Sequence, residues 1–269
     1  MTEQLFISLI VPAYNEADRL EVNLNKIHRF LQSTGWTFEI VPVDDGSTDG
    51  TSDVLEKLAR QKPDIKPVGY PLNAGKGRAI QCGIAVSKGK WVVTLDADLE
   101  LPVAQIQTFL RVQRETRAHV VIGSKWHPDS KVVYPVVRQR LSRGLHTMIR
   151  LLFPLSATDT QVGIKLMDGD AARLIGHVTL VKRFAWDIEF LLVAYECGLR
   201  FAEAPVDLKF LREGPGRVNL KTVLQITREV AGIWYRYYIR GFYKRSLLDW
   251  SRGQGPPLTF QASLQRDLS

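Results

Sequence analysis

Residues 5–50 read LFISLIVPAYNEADRLEVNLNKIHRFLQSTGWTFEIVPVDDGSTDG. The unbroken apolar run Leu5–Val11 is a strand buried on both faces, and it stops at Pro12. Ala17–Leu31 then has helical periodicity, and Phe38–Val43 is a second apolar run. Each run ends in polar residues, first Tyr14-Asn15-Glu16 and then Asp44-Asp45-Gly46-Ser47-Thr48-Asp49. This is a strand–helix–strand unit, and the alternation continues. Helix Thr51–Arg60, strand Ile65–Gly69, helix Gly75–Val86, strand Trp91–Leu95, helix Pro102–Glu115 and strand His119–Gly123 follow. Such spacing predicts an open, mostly parallel α/β sheet. Pro42 lies inside the second strand, where a missing N–H predicts a bulge or bend.

Beyond Ser124 the texture changes. A basic helix over about Pro135–Leu152 is followed by Asp159–Leu166, helical segments Gly169–Gly176 and Ala185–Cys197, and a short strand or hairpin over Leu199–Phe210. Asn219–Lys244 reads as one long amphipathic helix. Leu220, Val223, Val230, Trp234, Tyr237 and Tyr238 share one arc, and Arg236, Arg240 and Lys244 stack on the other side. The expected organisation is a single domain over 1–250. Residues 5–123 form a first half, 124–218 a second and 219–248 the amphipathic helix, with 251–269 a polar flexible tail.

The formal charge of +8 over 269 residues is unevenly spread. Residues 1–100 carry 11 basic and 14 acidic side chains, while 101–150 carry 9 basic against 2 acidic. A second basic block, 10 against 4, covers 199–248. Nucleic acid, an anionic membrane surface or a phosphorylated substrate would each suit such blocks, as would a plain solvated surface. Nucleic acid is disfavoured, because no recognised motif is present and an acidic crevice repels phosphate. No stretch reaches the about 18 apolar residues of a membrane span, and the N-terminal residues lack the pattern of a signal peptide. Cys82 and Cys197 fit no metal or redox spacing and read as reduced core residues of a cytosolic protein.

In an open parallel sheet, ligands bind beyond the carboxyl ends of the strands. Four consecutive strand ends here are polar: Pro12–Glu16, Asp44–Gly50, Asn73-Ala74-Gly75-Lys76-Gly77, and Asp96-Ala97-Asp98. Taken singly, Asp44–Gly50 is also an ordinary turn with a helix cap, and Asn73–Gly77 matches neither nucleotide-loop signature. Asp96 and Asp98 close an apolar strand, where two carboxylates repel unless a cation joins them. Mg²⁺ or Mn²⁺ takes such oxygen ligands and bridges them to phosphates, with Glu100 available as a third.

The motifs V-P-A-Y-N-E (11–16), V-D-D-G-S-T-D-G-T (43–51), N-A-G-K-G (73–77) and D-A-D (96–98) resemble the family 2 inverting glycosyltransferases of the GT-A fold. Gly123-Ser124-Lys125, Ser142-Arg143-Gly144, Asp159-Thr160-Gln161 and Trp186-Asp187-Ile188-Glu189 extend the resemblance to the dolichyl- or polyprenyl-phosphate sugar synthases. The glucosyl branch is favoured over the mannosyl one. The resemblance implies a nucleotide-sugar donor, UDP-glucose first and GDP-mannose second, and a polyprenyl or dolichyl phosphate acceptor.

By the same resemblance Pro12, Tyr14, Glu16, Lys76, Asp96 and Ala97 frame the donor, and Asp44 or Asp45 holds its base or ribose. Asp96, Asp98 and Glu100 hold Mg²⁺ or Mn²⁺, with Asp98 central to catalysis. Lys125, Arg143, Arg212 and Arg217 meet the acceptor phosphate, although Lys125 stands where the family often has arginine.

A phosphate acceptor is largely ionised at neutral pH and needs cationic positioning more than a base. A hydroxyl acceptor needs a carboxylate base, and Asp187 or Glu189 keeps that alternative open. The bland reading of that pair is an exposed first turn of a helix. An inactive nucleotide-sugar-binding protein of the same fold is the remaining, more distant alternative. The aromatic and basic C-terminal helix suits peripheral attachment to the cytoplasmic face of a membrane, and suits equally a helix packed on the sheet.

Overall fold

The computed structural model describes residues 5–132, 144, 147–155, 157–208 and 220–250. The elements comprise β1 (Ile7–Ala13), α1 (Ala17–Ser33), β2 (Phe38–Asp45), α2 (Thr51–Gln61), β3 (Val68–Tyr70), α3 (Lys76–Val86), β4 (Trp91–Thr94) and α4 (Gln105–Thr116). They continue with β5 (Val120–Ser124), β6 (Lys131–Val132), β7 (Lys165–Asp168), α5 (Gly169–Val178), α6 (Trp186–Glu196), β8 (Phe201–Pro205), β9 (Asp207–Leu208), α7 (Leu220–Trp234) and α8 (Phe242–Asp249). Seven strands form one sheet in the order β3-β2-β1-β4-β7-β5-β8, and β6 pairs with β9 in a small second sheet.

All pairings in the large sheet are parallel except those of β7, which runs antiparallel between β4 and β5. The alternating residues of each strand feed two cores. Ile7, Leu9 and Val11 pack with Leu20, Leu24, Ile27 and Leu31 of α1 on one face. On the other, Ile10, Val41, Val43 and Val92 pack with α3, α5 and α6. Burial on both faces is why these strands read as continuous apolar runs. Each fully buried Leu or Ile contributes about 1.5–3 kcal/mol.

Pro42 produces no bulge. It pairs in register with Val11, within an unbroken match from Ile7–Phe38 to Ala13–Asp44. The reason is the direction in which its nitrogen faces. The N–H and carbonyl of Ile40 both bond toward the β3 side, to Asp64 and Lys66, and alternate residues of a strand face the same neighbour. Pro42 therefore also faces β3, between the Ile40–Ile65 bridge and the Val43–Val68 pairing. No ladder bond to β1 is lost.

The predicted C-terminal helix is not continuous. α7 runs into a π-helical turn, Tyr235–Ile239, and Gly241 at φ 54° separates it from α8. The widened turn shifts the helical register, so the expected arc divides. Val230, Ile233, Tyr243 and Leu247 are buried, while Trp234, Tyr235, Tyr238 and Ile239 are exposed. Arg236 leaves the expected basic stripe and turns inward to Glu189. The basic helix expected before residue 152 lies largely outside the described residues, apart from a helical stretch at 147–152. The 251–269 tail lies outside them entirely.

One buried acid fastens the sheet's lower edge. Glu39, 1% exposed, accepts from Ser8 Oγ at 2.6 Å, the Lys88 N–H at 2.7 Å and Lys66 Nζ at 3.0 Å. Burial alone would raise its pKa, but these donors outweigh burial and hold it below the ordinary glutamate value. Its contribution to stability is therefore full above the unfolded pKa and is lost as pH falls through the folded one. Glu39→Gln is expected to be less stable at neutral pH and to lose stability less steeply between about pH 5 and pH 3. Urea unfolding across that range checks it; parallel curves for the two proteins would refute it.

Candidate active site

The sheet order brings the four polar strand ends together, because β3, β2, β1 and β4 are consecutive neighbours. The chain leaves β1 in one direction to β2 and returns on its other side as β4, a topological switch point where such sheets open a crevice. A pocket of about 310 Å³ lies there. Pro12, Ala13, Tyr14 and Glu16 line it from the end of β1, Asp45 from β2, Asn73, Gly75 and Lys76 from the β3–α3 loop, and Asp96 and Ala97 from β4.

The motif residues build the rim by binding one another. Asn15, at φ 53°, receives Thr48 N–H on its side-chain oxygen at 2.9 Å and donates its own N–H to Ser47 Oγ at 3.0 Å. Glu16 N–H donates to Thr51 Oγ1, and Ala17 N–H to Asp49. Asp49 also accepts from the Thr51 N–H, closing the start of α2. The two loops thus form one cross-tied ledge.

The two adjacent aspartates separate in role. Asp44 accepts from Ser47 N–H at 2.9 Å inside the turn and does not line the pocket. Asp45 does line it, yet its oxygens accept from Tyr70 Oη, Asn73 Nδ2, Ala74 N–H and Gly75 N–H, all within 3.0 Å. Asp45, one of the two carboxylates expected to hold base or ribose, also anchors the loop that presents Lys76. Burial and the Asp45 charge push the Tyr70 phenol well above its ordinary value.

Lys76 Nζ sits 2.5 Å from Asp96 Oδ1. Burial would lower the ammonium's pKa, but Asp96, Asp187 and Asp98 outweigh it and hold it above the usual lysine range. Asp98 accepts the Glu100 N–H at 3.2 Å across Leu99, which adopts a left-handed φ of 54°. Asp96 Oδ2 packs over Gly163, where a Cβ would lie only 2.1 Å away. Among the described residues no three His, Cys, Asp or Glu side chains converge as a ready metal cage, so Asp96, Asp98 and Glu100 are not a closed three-ligand set.

Asp187 and Glu189 are not an exposed first turn. Asp187 is 9% exposed and accepts from Lys165 Nζ at 2.7 Å, close enough to the crevice for its charge to act on Lys76. Glu189 is fully buried and accepts from Leu180 N–H, Val181 N–H, Tyr243 Oη and Arg236. Both its oxygens are engaged, and it is not among the residues that line the pocket. Lys125 is likewise drawn inward, 2.8 Å from the buried Asp159. Arg143, Arg212 and Arg217 lie outside the described residues. Cys197 is buried, its thiol pushed up to about 12 by burial, and is no nucleophile at neutral pH.

The glycosyl transferase family 2 model matches residues 8–176, which carry all four strand-end motifs. The chain belongs to glycosyl transferase family 2. Among curated members of this family, a dolichyl-phosphate beta-glucosyltransferase of Trichomonas vaginalis is 34% identical over 76% of this chain, which spans 65% of that protein's length. The namesake from Dictyostelium discoideum is 30% identical over 90% of this chain and 77% of its own. The human one is 29% identical over 88% and 76%.

The fold is GT-A. Glucosyl-3-phosphoglycerate synthase from Mycobacterium tuberculosis, crystallised with Mn²⁺, UDP and glucosyl-3-phosphoglycerate, superimposes with a TM-score of 0.62 at 19% identity, over 86% of this chain and 79% of that one. Mannosyl-3-phosphoglycerate synthase from Rubrobacter xylanophilus gives 0.60 at 17%, over 88% and 75%.

Two pocket residues of this glycosyltransferase escaped the sequence reading. Arg183 and Phe184 also line the pocket, from the turn before α6. The turn is seated on Gly75, whose φ of 106° and absent side chain admit it; a Cβ there would fall 2.5 Å from Arg183 Cγ. The available signal was a Lys182-Arg183-Phe184 cluster between two helical segments; in the structure Phe184 is 42% exposed.

Proposed function

We propose that this chain transfers glucose from UDP-glucose to a polyprenyl or dolichyl phosphate, with inversion, at a membrane surface. The observation that carries the reading is the convergence of Asp96, Lys76 and the β1 and β3–α3 rims on one crevice, in a chain whose relatives named as dolichyl-phosphate glucosyltransferases align over most of its length. An ionised phosphate oxygen attacks the anomeric carbon as the bond from that carbon to the diphosphate breaks on the opposite face. No proton need be removed from the nucleophile, which accords with Glu189 being unavailable as a base.

Asp96 and Asp98 are hard oxygen donors, and Asp96 lies against a glycine that leaves it room. Such donors fit Mg²⁺ or Mn²⁺ bound chiefly through substrate phosphates. A cation there would neutralise charge developing on the leaving diphosphate. Pro12, Tyr14, Glu16 and Ala97 border the donor's place, and Lys125, Arg143, Arg212 and Arg217 are proposed for the acceptor phosphate.

The test is a panel of nucleotide-sugars against polyprenyl phosphate, with Mg²⁺, Mn²⁺ or EDTA. Product from UDP-glucose alone, abolished by EDTA, is expected. Transfer to a saccharide hydroxyl in preference to the lipid phosphate would overturn the acceptor and turn attention to Asp187.

Among the described residues no helix is long and apolar enough to cross a membrane. Attachment is assigned to α7 and the turn after it, where Leu224, Trp234, Tyr235, Tyr238 and Ile239 are exposed beside Arg228, Arg240, Lys244 and Arg245. Aromatic rings and cations together suit an anionic lipid interface. The double substitution Trp234→Ser, Tyr238→Ser is expected to cut sedimentation with anionic vesicles at least about fivefold and raise KM for lipid phosphate, with KM for UDP-glucose unchanged. Undiminished sedimentation would remove this face from the proposal.

A further inference from the structure

Lys76 is placed too strictly for a casual surface lysine. It opens α3, and the residue before it is held by two bonds from Gly75 N–H to Asp45. Gly77 just beyond packs under Trp186, where a Cβ would lie 2.5 Å from that residue's own Cβ. Both flanks of Lys76 are therefore fixed, by the strand end on one side and by α6 on the other. Its ammonium reaches Asp96 at 2.5 Å and lies within the fields of Asp98 and Asp187. Asp187 has its own cation in Lys165, at 2.7 Å, whose Nζ also donates to the Val162 carbonyl. Lys165 is buried and committed; Lys76, with its side chain 38% exposed, is the member of this cluster that can move.

We infer that Lys76 is an exchangeable cation: it neutralises Asp96 in one arrangement and the donor diphosphate in the other, handing Asp96 to the divalent metal as it goes. This rests on the proposed metal–nucleotide reading of the crevice. A carboxylate oxygen accepting from an ammonium at 2.5 Å cannot take up a second cation without like-charge repulsion. A nucleotide diphosphate supplies, within the same pocket, a new anion for the displaced lysine. Metal and nucleotide therefore bind as a coupled pair, each removing the obstacle to the other, and the coupling is reciprocal. The metal alone meets an occupied carboxylate.

The experiment measures Mn²⁺ binding by electron paramagnetic resonance of the free ion, with and without UDP, and uses no glycosyl acceptor. In the native chain UDP is expected to tighten Mn²⁺ markedly. In Lys76→Met, Mn²⁺ alone is expected to bind about tenfold tighter than in the native chain, equivalent to about 1.4 kcal/mol, and UDP is expected to add correspondingly less. Lys76→Arg keeps the charge and is expected to behave as the native chain does. Mn²⁺ binding to Lys76→Met no tighter than to the native chain, or a native chain in which UDP leaves Mn²⁺ affinity unchanged, overturns the exchange. A Lys76→Met variant weaker for both ligands and lower in thermal midpoint marks a structural role instead and also overturns it. Failure to bind Mn²⁺ in any condition removes the metal reading itself. Failure of transfer to lipid phosphate, with the coupling intact, removes only the acceptor.

Discussion

Asp98→Asn is expected to lower transfer at least about 10³-fold while the thermal midpoint stays within about 2 °C of the native value. The substitution keeps the size of the side chain and the oxygen that accepts the Glu100 N–H at 3.2 Å, so the left-handed turn at Leu99 survives. What it removes is a negative charge beside Asp96 and Lys76. If a divalent cation neutralises the leaving diphosphate, its affinity and its effect on the transition state both depend on that charge. The cost should appear in kcat, and it should not be recovered at saturating UDP-glucose. Raising Mn²⁺ should restore little, because the lost ligand charge acts on the bound ion as well as on its capture. Assay at several metal concentrations, with circular dichroism as the fold control, checks both parts. Full activity in Asp98→Asn would sink the metal assignment.

The crevice was legible because its signals are local. An apolar run that stops abruptly at Asp or Asn places that residue at a strand end, and parallel topology puts successive strand ends on one edge. Pro12, Tyr14, Glu16, Asp45, Lys76, Asp96 and Ala97 were all found this way or by family resemblance, and all line one pocket. What was not legible depends on contacts distant in sequence. β7 is four residues long, and nothing in Lys165–Asp168 says that it inserts antiparallel between β4 and β5. Pro42 looked disruptive because which neighbour its bare nitrogen faces is set by the sheet order, which the local sequence does not show. Arg183 and Phe184 reach the pocket only because Gly75 leaves space for their turn. The split of the C-terminal helix turns on Gly241, which on a helical wheel looks like any other position.

Glu189 is the residue whose reading changed most, and its removal is expected to be the most destabilising single change at this site. It collects four donors on two oxygens: Leu180 N–H at 2.7 Å, Val181 N–H at 2.6 Å, Tyr243 Oη at 2.5 Å and Arg236 Nη2 at 2.9 Å. Burial would lower the Arg236 pKa, but Tyr243 and Glu189 hold it above its ordinary value, so the cation stays charged and depends on its partner. Glu189→Ala takes the shared acceptor from two backbone N–H groups and from Arg236 Nη2, although Arg236 Nε keeps Tyr243 Oη, and it empties a fully buried position. Breaking a buried pair by deleting one partner costs about 3–5 kcal/mol. For a chain of this size that lowers the thermal midpoint by about 6–20 °C. Glu189→Gln retains one acceptor oxygen and should fall between the two. Because Leu180 and Val181 lead directly into Arg183 and Phe184, the milder variant should also raise KM for the nucleotide-sugar while kcat changes less. A true catalytic base would give the opposite pattern: a collapse of kcat with an unmoved midpoint. Thermal unfolding beside steady-state kinetics on Glu189→Gln separates the hub from the base.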